Sequence, residues 1–377
     1  MRTSLLALGV ALLLPGAAAA QNQSLEIQKL GDGVYAAIRS EFRMDPIEGN
    51  SLLVVTSEGV VVFDTGRSPD TARRMIAEIR KLTTQPVRYV VNSHWHDDHV
   101  FGNQAYEEAF PGVQFVAHRE TRADMISQSI PSLKTSGVEY WTKMMTGFEA
   151  RLAKGVTSDG KPLTDAQKTR LAEQARTIRE YLPKFAGQRI VLPTVLVHDA
   201  LTLHLGGQEI RVLHLGLGNT RGDLVIHLPR ERLVATGDLL VHPVPFAYGS
   251  FPAEWVGTLK ALRALDATAI VPGHGPLMRD TAYLDLVIEL LESLVAQVGD
   301  AVRRGQSLED TRKAVDVTRF RERMSEGDSL RSAQFGDSIV RVAVESAYKA
   351  ATAAPRRGPA AGSDLDSCVH PAAARIP

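Results

Sequence analysis

The sequence predicts an α/β fold, and three observations predict it. Short apolar runs bounded by turn residues alternate with stretches of helical spacing. Several of the apolar runs are followed at once by Asp, Asn or His beside glycine, and in open α/β sheets such residues gather beyond the carboxyl ends of strands. The chain of 377 residues is 44% apolar and 23% charged, so it has ample material for a core and room for one large domain or two small ones.

In chain order, Arg2, the apolar stretch 5–14 and Ala18-Ala19-Ala20 before Gln21 read as a signal peptide over residues 1–20. That stretch is too short to span a membrane. The expectation is a periplasmic or secreted protein with no membrane attachment after cleavage. Cys368, in the tail, is the only cysteine. It excludes an intramolecular disulfide and leaves His, Asp, Glu and Asn as metal ligands for the core. The 43 basic and 43 acidic side chains cancel, which argues against a nucleic-acid surface or a polybasic anchor and leaves a small molecule as the partner.

Residues 34–38, 51–56 and 60–63 read as strands, the last two joined by Glu58-Gly59. Residues 68–82 have helical spacing, with Met75, Ile76, Ile79 and Leu82 on one face and Ser68 or Asp70 as cap. A strand at 87–91 leads into His94-Trp95-His96-Asp97-Asp98-His99, and another strand follows at 113–117. Residues 119–187 are polar and mostly helical in pattern, clearest at 165–181, and read as a helical insertion. Strands return at 194–197, 201–205 and 209–215, with Gly206-Gly207 as a hairpin turn. Further strands at 223–228, 232–235 and 269–271 enclose a helix near 253–265. Helices fill 281–352, and 353–377, rich in Ala, Pro, Gly and Arg, read as a disordered tail.

Three imidazoles and two carboxylates within six positions exceed what capping a helix needs, and imidazole and carboxylate are the ligands of catalytic zinc. Other candidates sit just past strands: Asp64 in Asp-Thr-Gly, Asn219 in Gly-Asn-Thr-Arg-Gly-Asp223, Asp238 after Gly237, and His274 between two glycines.

These motifs, from residue 34 to 276, occur in the order and approximate spacing of the metallo-β-lactamase superfamily, which the chain resembles. The resemblance implies a four-layer αβ/βα sandwich over residues 25–280 with two zinc ions at one edge. It places His94 and His96 on the first, Asp98, His99 and His274 on the second, and Asp238 between them. Asp64 resembles the family's buried aspartate that orients the His-rich loop. The sequence departs at Asn219, where most members have His. An amide oxygen is a neutral, weaker donor, so the first site is expected to be the looser. His214 is expected to back the site or to pack.

Hydrolysis is the chemistry such a pair supports, because it lowers the pKa of a bridging water from about 15.7 toward about 7. That water attacks a carbonyl-type substrate such as a β-lactam, lactone, ester or thioester, and Asp98 takes up the proton. His242 and Tyr248, in the Pro-rich loop after Asp238, are candidate substrate contacts. Two alternatives remain: an iron-dependent persulfide dioxygenase-like enzyme, and a non-catalytic periplasmic metal-binding module.

Overall fold

The computed structural model describes residues 25–39, 47–135, 138–157, 160–185 and 187–353. The expected signal peptide, Cys368 and nearly all of the expected tail lie outside these residues. Two sheets face each other. The first runs β1 (Leu25–Gly31), β2 (Val34–Arg39), β3 (Ser51–Thr56), β4 (Gly59–Phe63), β5 (Val87–Val91), β6 (Gln114–His118) and β7 (Val195–Val197). Its first four strands are antiparallel and β4 to β7 are parallel. The second sheet has the order β12 (Ala269–Val271), β11 (Leu233–Ala235), β10 (Leu224–Leu228), β9 (Gln208–His214), β8 (Ala200–Leu205). Only its β11–β12 pair is parallel.

Strand periodicity divides the apolar residues among three cores. Val61 and Phe63 of β4 meet Ile210, Val212 and Ile226 between the sheets. Val60 and Val62, pointing the other way, pack on Met75, Ile76 and Ile79 of the helix Pro69–Leu82. Val225 and Val234 leave the second sheet outward, onto Leu259 of Pro252–Arg263 and Leu290 of Ala282–Arg303. Helix, sheet, sheet, helix is the four-layer sandwich the sequence implied. Strands buried on both faces explain why β4 reads as an unbroken apolar run and β10 as one broken only by His227. β1, with Glu26 and Lys29 exposed and the rest half-buried, carries no such signal and was not expected.

Helix Pro69–Leu82 starts at Ser68, whose side chain accepts a bond from Thr71 N. Between β6 and β7 the chain makes the helices Arg119–Asp124, Val138–Lys154 and Asp165–Tyr181. Trp141, Met144, Met145 and Phe148 pack with Ile178 and Tyr181 inside this excursion. After β12, Ala282–Arg303 and shorter helices lie on the second sheet and reach forward over one end of the sandwich.

Candidate metal centre

The carboxyl ends of β4, β5, β9, β11 and β12 meet at one edge, and the candidate ligands stand there. Past β5, Leu224 N bonds to Ser93 O at 2.8 Å, drawing the His-rich loop against the second sheet. His94 is fully buried, and the short helix Asp97–Val100 carries Asp98 and His99. His99 is held by its own carbonyl, which accepts from Thr65 N at 2.8 Å. Gly49 lies so close to its ring that a Cβ would come within 2.6 Å.

Asp64 is buried just behind this loop, with its backbone in the left-handed region (φ 62°) that a short polar side chain tolerates. Its Oδ1 accepts from Ser93 N (2.7 Å), and its Oδ2 from Ser93 Oγ (2.7 Å) and His99 Nδ1 (2.8 Å). Because the Ser93 hydroxyl proton goes to Asp64, the same oxygen must accept from His94 Nδ1, 2.8 Å away. One carboxylate therefore sets two tautomers. In its neutral form each ring then has its lone pair on Nε2, facing the cluster.

Those lone pairs converge with others. His94 Nε2 is 2.8 Å from His96 Nδ1 and 3.6 Å from Asp238 Oδ2. His99 Nε2 is 3.2 Å from Asp238 Oδ1, 3.5 Å from Asp98 Oδ2 and 3.3 Å from His274 Nε2. His274 Nε2 is 3.0 Å from Asp98 Oδ2. The ligand atoms of His94, His99 and Asp238 lie within 4.8 Å of one another, as do those of Asp98, His99 and His274.

Burial pushes the His94 pKa well below its ordinary value, and neighbouring His99 and His96 add to this, so the ring is neutral and able to ligate. Burial opposes ionisation of Asp98 and Asp238, yet the imidazoles around them outweigh it and hold both carboxyls below the usual range. Burial also opposes charge on His99, but Asp98, Asp238 and Asp64 raise its pKa well above the histidine range, so without a cation among these carboxylates its Nε2 holds a second proton, which a metal ion would displace.

A metal ion fits these residues. Asp238 Oδ1 and Asn219 Oδ1 are buried acceptors without a hydrogen bond, a costly state unless a cation meets them. Asn219 is fully buried, and its Nδ2 donates to the Phe246 carbonyl. That bond fixes which way the amide faces and leaves Oδ1 as the acceptor.

The remaining expected residues are dispersed. His214 Nδ1 bonds to the Asp223 carbonyl at 3.0 Å, and its ring stacks on His118 at 4.1 Å. It thus supports the turn that carries Asn219. His242 and Tyr248 line a cavity of about 420 Å³ over Asp98, Asp238 and His274. Tyr248 gives its hydroxyl to Asp337.

Sequence reasoning missed other parts of this wall. Ile47 and Arg67 line it, Arg67 Nη2 bonding to Asp97 at 3.0 Å, and Gln334, Asp337 and Ser338 reach it from the C-terminal helices. Arg67 stands three residues past Asp64, a position that could have flagged it. The C-terminal contributors carry no local signal.

Buried imidazoles and carboxylates at the mouth of a cleft, on this sandwich, define a candidate metal centre. Residues 44–274 match the family model of the metallo-β-lactamase superfamily, and the chain belongs to that superfamily. It is 25% identical over 264 residues to a linear primary-alkylsulfatase from Pseudomonas sp. (strain ATCC 19151), an alignment covering 67% of this chain and 46% of the relative. The chain thus spans about half the length of that relative. Among solved structures, it is similar to a metallo-β-lactamase from Pontibacter korlensis (21% identity, TM-score 0.51, covering 71% of this chain and 99% of the other). It is also similar to a double mutant of the sec-alkyl sulfatase PisA1 (17% identity, TM-score 0.54, 78% and 45%). These two likenesses are of fold alone.

Proposed function

We propose that the chain is an exported, zinc-dependent hydrolase of small carbonyl esters or lactones that carry an apolar group. The observation that carries this reading is the cavity wall. Ile47, Val241, Val244, Pro245 and Phe246 face the carboxylate–imidazole cluster across about 420 Å³. That space suits a small ligand with an apolar body and one reacting polar centre.

In this reading His94, His96 and Asn219 would hold one zinc and Asp98, His99 and His274 the other, with Asp238 shared. Bound there, zinc supplies acidified water and a Lewis acid for the bond to be cleaved. The chain's residues do the rest. Asp64 keeps the His94 and His99 lone pairs aimed inward. Asp98, whose Oδ2 lies at the cavity floor, takes the proton released by the nucleophilic water. The apolar walls seat the substrate and thin out bulk water. Asn219, neutral where a histidine is usual, makes the first site the weaker.

A second substrate reading, an alkyl sulfate, is favoured by the likeness to the primary-alkylsulfatase. One panel separates the two. Purified protein is analysed for metal by mass spectrometry, then assayed on matched octanoyl esters, lactones, thioesters, a β-lactam and dodecyl sulfate. About two zinc ions per chain and turnover of carbonyl esters support the first reading. Turnover of dodecyl sulfate alone selects the second. Metal-replete protein inert on the whole panel defeats both, and iron with oxygen uptake on a persulfide points to a dioxygenase. Fractionation of cells tests the export.

A further inference from the structure

A second cavity, of about 310 Å³, lies across His96 and Tyr248 from the first. These two residues line both cavities. The first cavity is floored by Asp98, Asp238 and His274, the second by Asn219 beside His96. The cluster therefore stands on the divide, and a bond broken over it has one half on each side.

The walls differ in kind. The second cavity is bounded by Trp95, Asp124, Gln128, Thr220 and Arg221. Its one guanidinium is already engaged: Arg221 Nη1 lies 2.8 Å from Glu120 and its Nε and Nη2 bond to Asp124. Arg119 lies 3.4 Å from Glu120 as well, so two cations meet two carboxylates and the group carries no net charge among the described residues. An anionic substituent gains nothing from Arg221 held this way, whereas an uncharged hydrogen-bonding group or an ammonium beside the Trp95 ring is favoured.

We propose that the second cavity binds the polar half of a two-part substrate, and that this half is neutral or cationic. The proposal rests on the hydrolase reading above and names its substrate class: an ester joining an apolar group to an uncharged or ammonium-bearing polar group. An alkyl sulfate, with its sulfate at the cluster and its chain in the first cavity, has nothing to place there.

The test uses the full zinc-loaded protein and octanoyl esters of hydroxyethanol, choline and isethionate, together with the reversed esters of octanol and the matching polar acids. In at least one series the choline-type and hydroxyl esters turn over with higher kcat/KM than the sulfonate. Gln128, exposed at the cavity mouth, supplies charge variants that leave the core alone. Gln128→Lys shifts the ratio toward the sulfonate by about fivefold and Gln128→Glu shifts it the other way, as expected for one charge at the cavity mouth.

Binding gives a readout without turnover. Choline octyl ether quenches the fluorescence of Trp95, and Trp95→Phe removes that change. If the zinc-loaded protein hydrolyses no carbonyl ester, lactone, thioester or β-lactam, the hydrolase reading fails. If it hydrolyses them but the polar series shows no charge preference and both Gln128 variants leave the ratios unchanged, the second-cavity proposal is overturned and the hydrolase reading stands.

Discussion

Replacing Asp64 by Asn removes one oxygen and exchanges an acceptor for a donor. Asn Oδ1 still accepts from Ser93 N, but the amide nitrogen now faces Ser93 Oγ and His99 Nδ1, where Asp64 accepted both at 2.7 and 2.8 Å. His99 must then accept at Nδ1 and carry its proton on Nε2, the atom 3.2 Å from Asp238. The released Ser93 hydroxyl donates to His94 Nδ1, so that ring also moves its proton to Nε2. Both nitrogens meant for metal become occupied. Loss of such an orienting partner weakens metal affinity by about 10- to 100-fold. The fold itself loses at most one good buried hydrogen bond, about 1–3 kcal/mol. Competition against a chromogenic chelator measures the affinity, and urea unfolding in chelator measures the stability. Unchanged zinc affinity in a folded Asp64→Asn protein would refute the tautomer argument, since no other partner is assigned to the two Nδ1 atoms.

Three further outcomes are expected. Gly273→Ala puts a Cβ 2.1 Å from Asp238 Oδ1 and 2.7 Å from the Gly237 carbonyl carbon; the aspartate must move, and a displacement near 1 Å costs about a hundredfold in kcat, read by steady-state kinetics on a folded sample. Asn219→Leu removes the Oδ1 acceptor and the bond to Phe246, so mass spectrometry should find metal lost from one site while chelator-treated protein loses only about 1 kcal/mol of stability. His118, pushed down to about 4 by burial and by His214, binds fewer protons folded than unfolded between its unfolded pKa near 6.5 and its folded value. Stability therefore holds above about pH 6.5 and falls as pH drops toward about 4, by about 1–2 kcal/mol once solvent screening is allowed for; in urea melts His118→Asn should flatten that window.

The candidate site was legible because its members obey a local rule: each of Asp64, His94, Asp238 and His274 follows an apolar strand within three residues, often beside a glycine. The layer order was legible because β4 is apolar on both faces, and β5 and β10 depart from that only at Arg88 and His227. The cavity walls were not, since Ile47, Phe246, Tyr248 and Ser338 meet only after the C-terminal helices fold back. Ser338 Oγ donates to the Pro245 carbonyl at 2.7 Å and accepts from Ala247 N at 2.9 Å. No spacing announces a serine that holds a loop more than ninety positions away. The Asp124–Arg221 pair joins the helical excursion to the Asn219 turn in the same way. Helical pattern revealed the excursion's helices and nothing about which face met the site.

The seam between the two sheets has a consequence for how the molecule comes apart. His94 to His99 belong to the first half of the chain, and Asn219, Asp238 and His274 to the second. Protein contacts across the seam at this edge include Asn50 Nδ2 to the Pro272 and Gly275 carbonyls and Leu224 N to Ser93 O. A metal ion held by ligands from both halves would act as a rivet through them. At free metal a hundred times its dissociation constant, it adds about 2.7 kcal/mol to the folded state. Each half alone would bind it poorly, so parting the seam and releasing the metal become a single event, and a chelator should open the sandwich from this edge first.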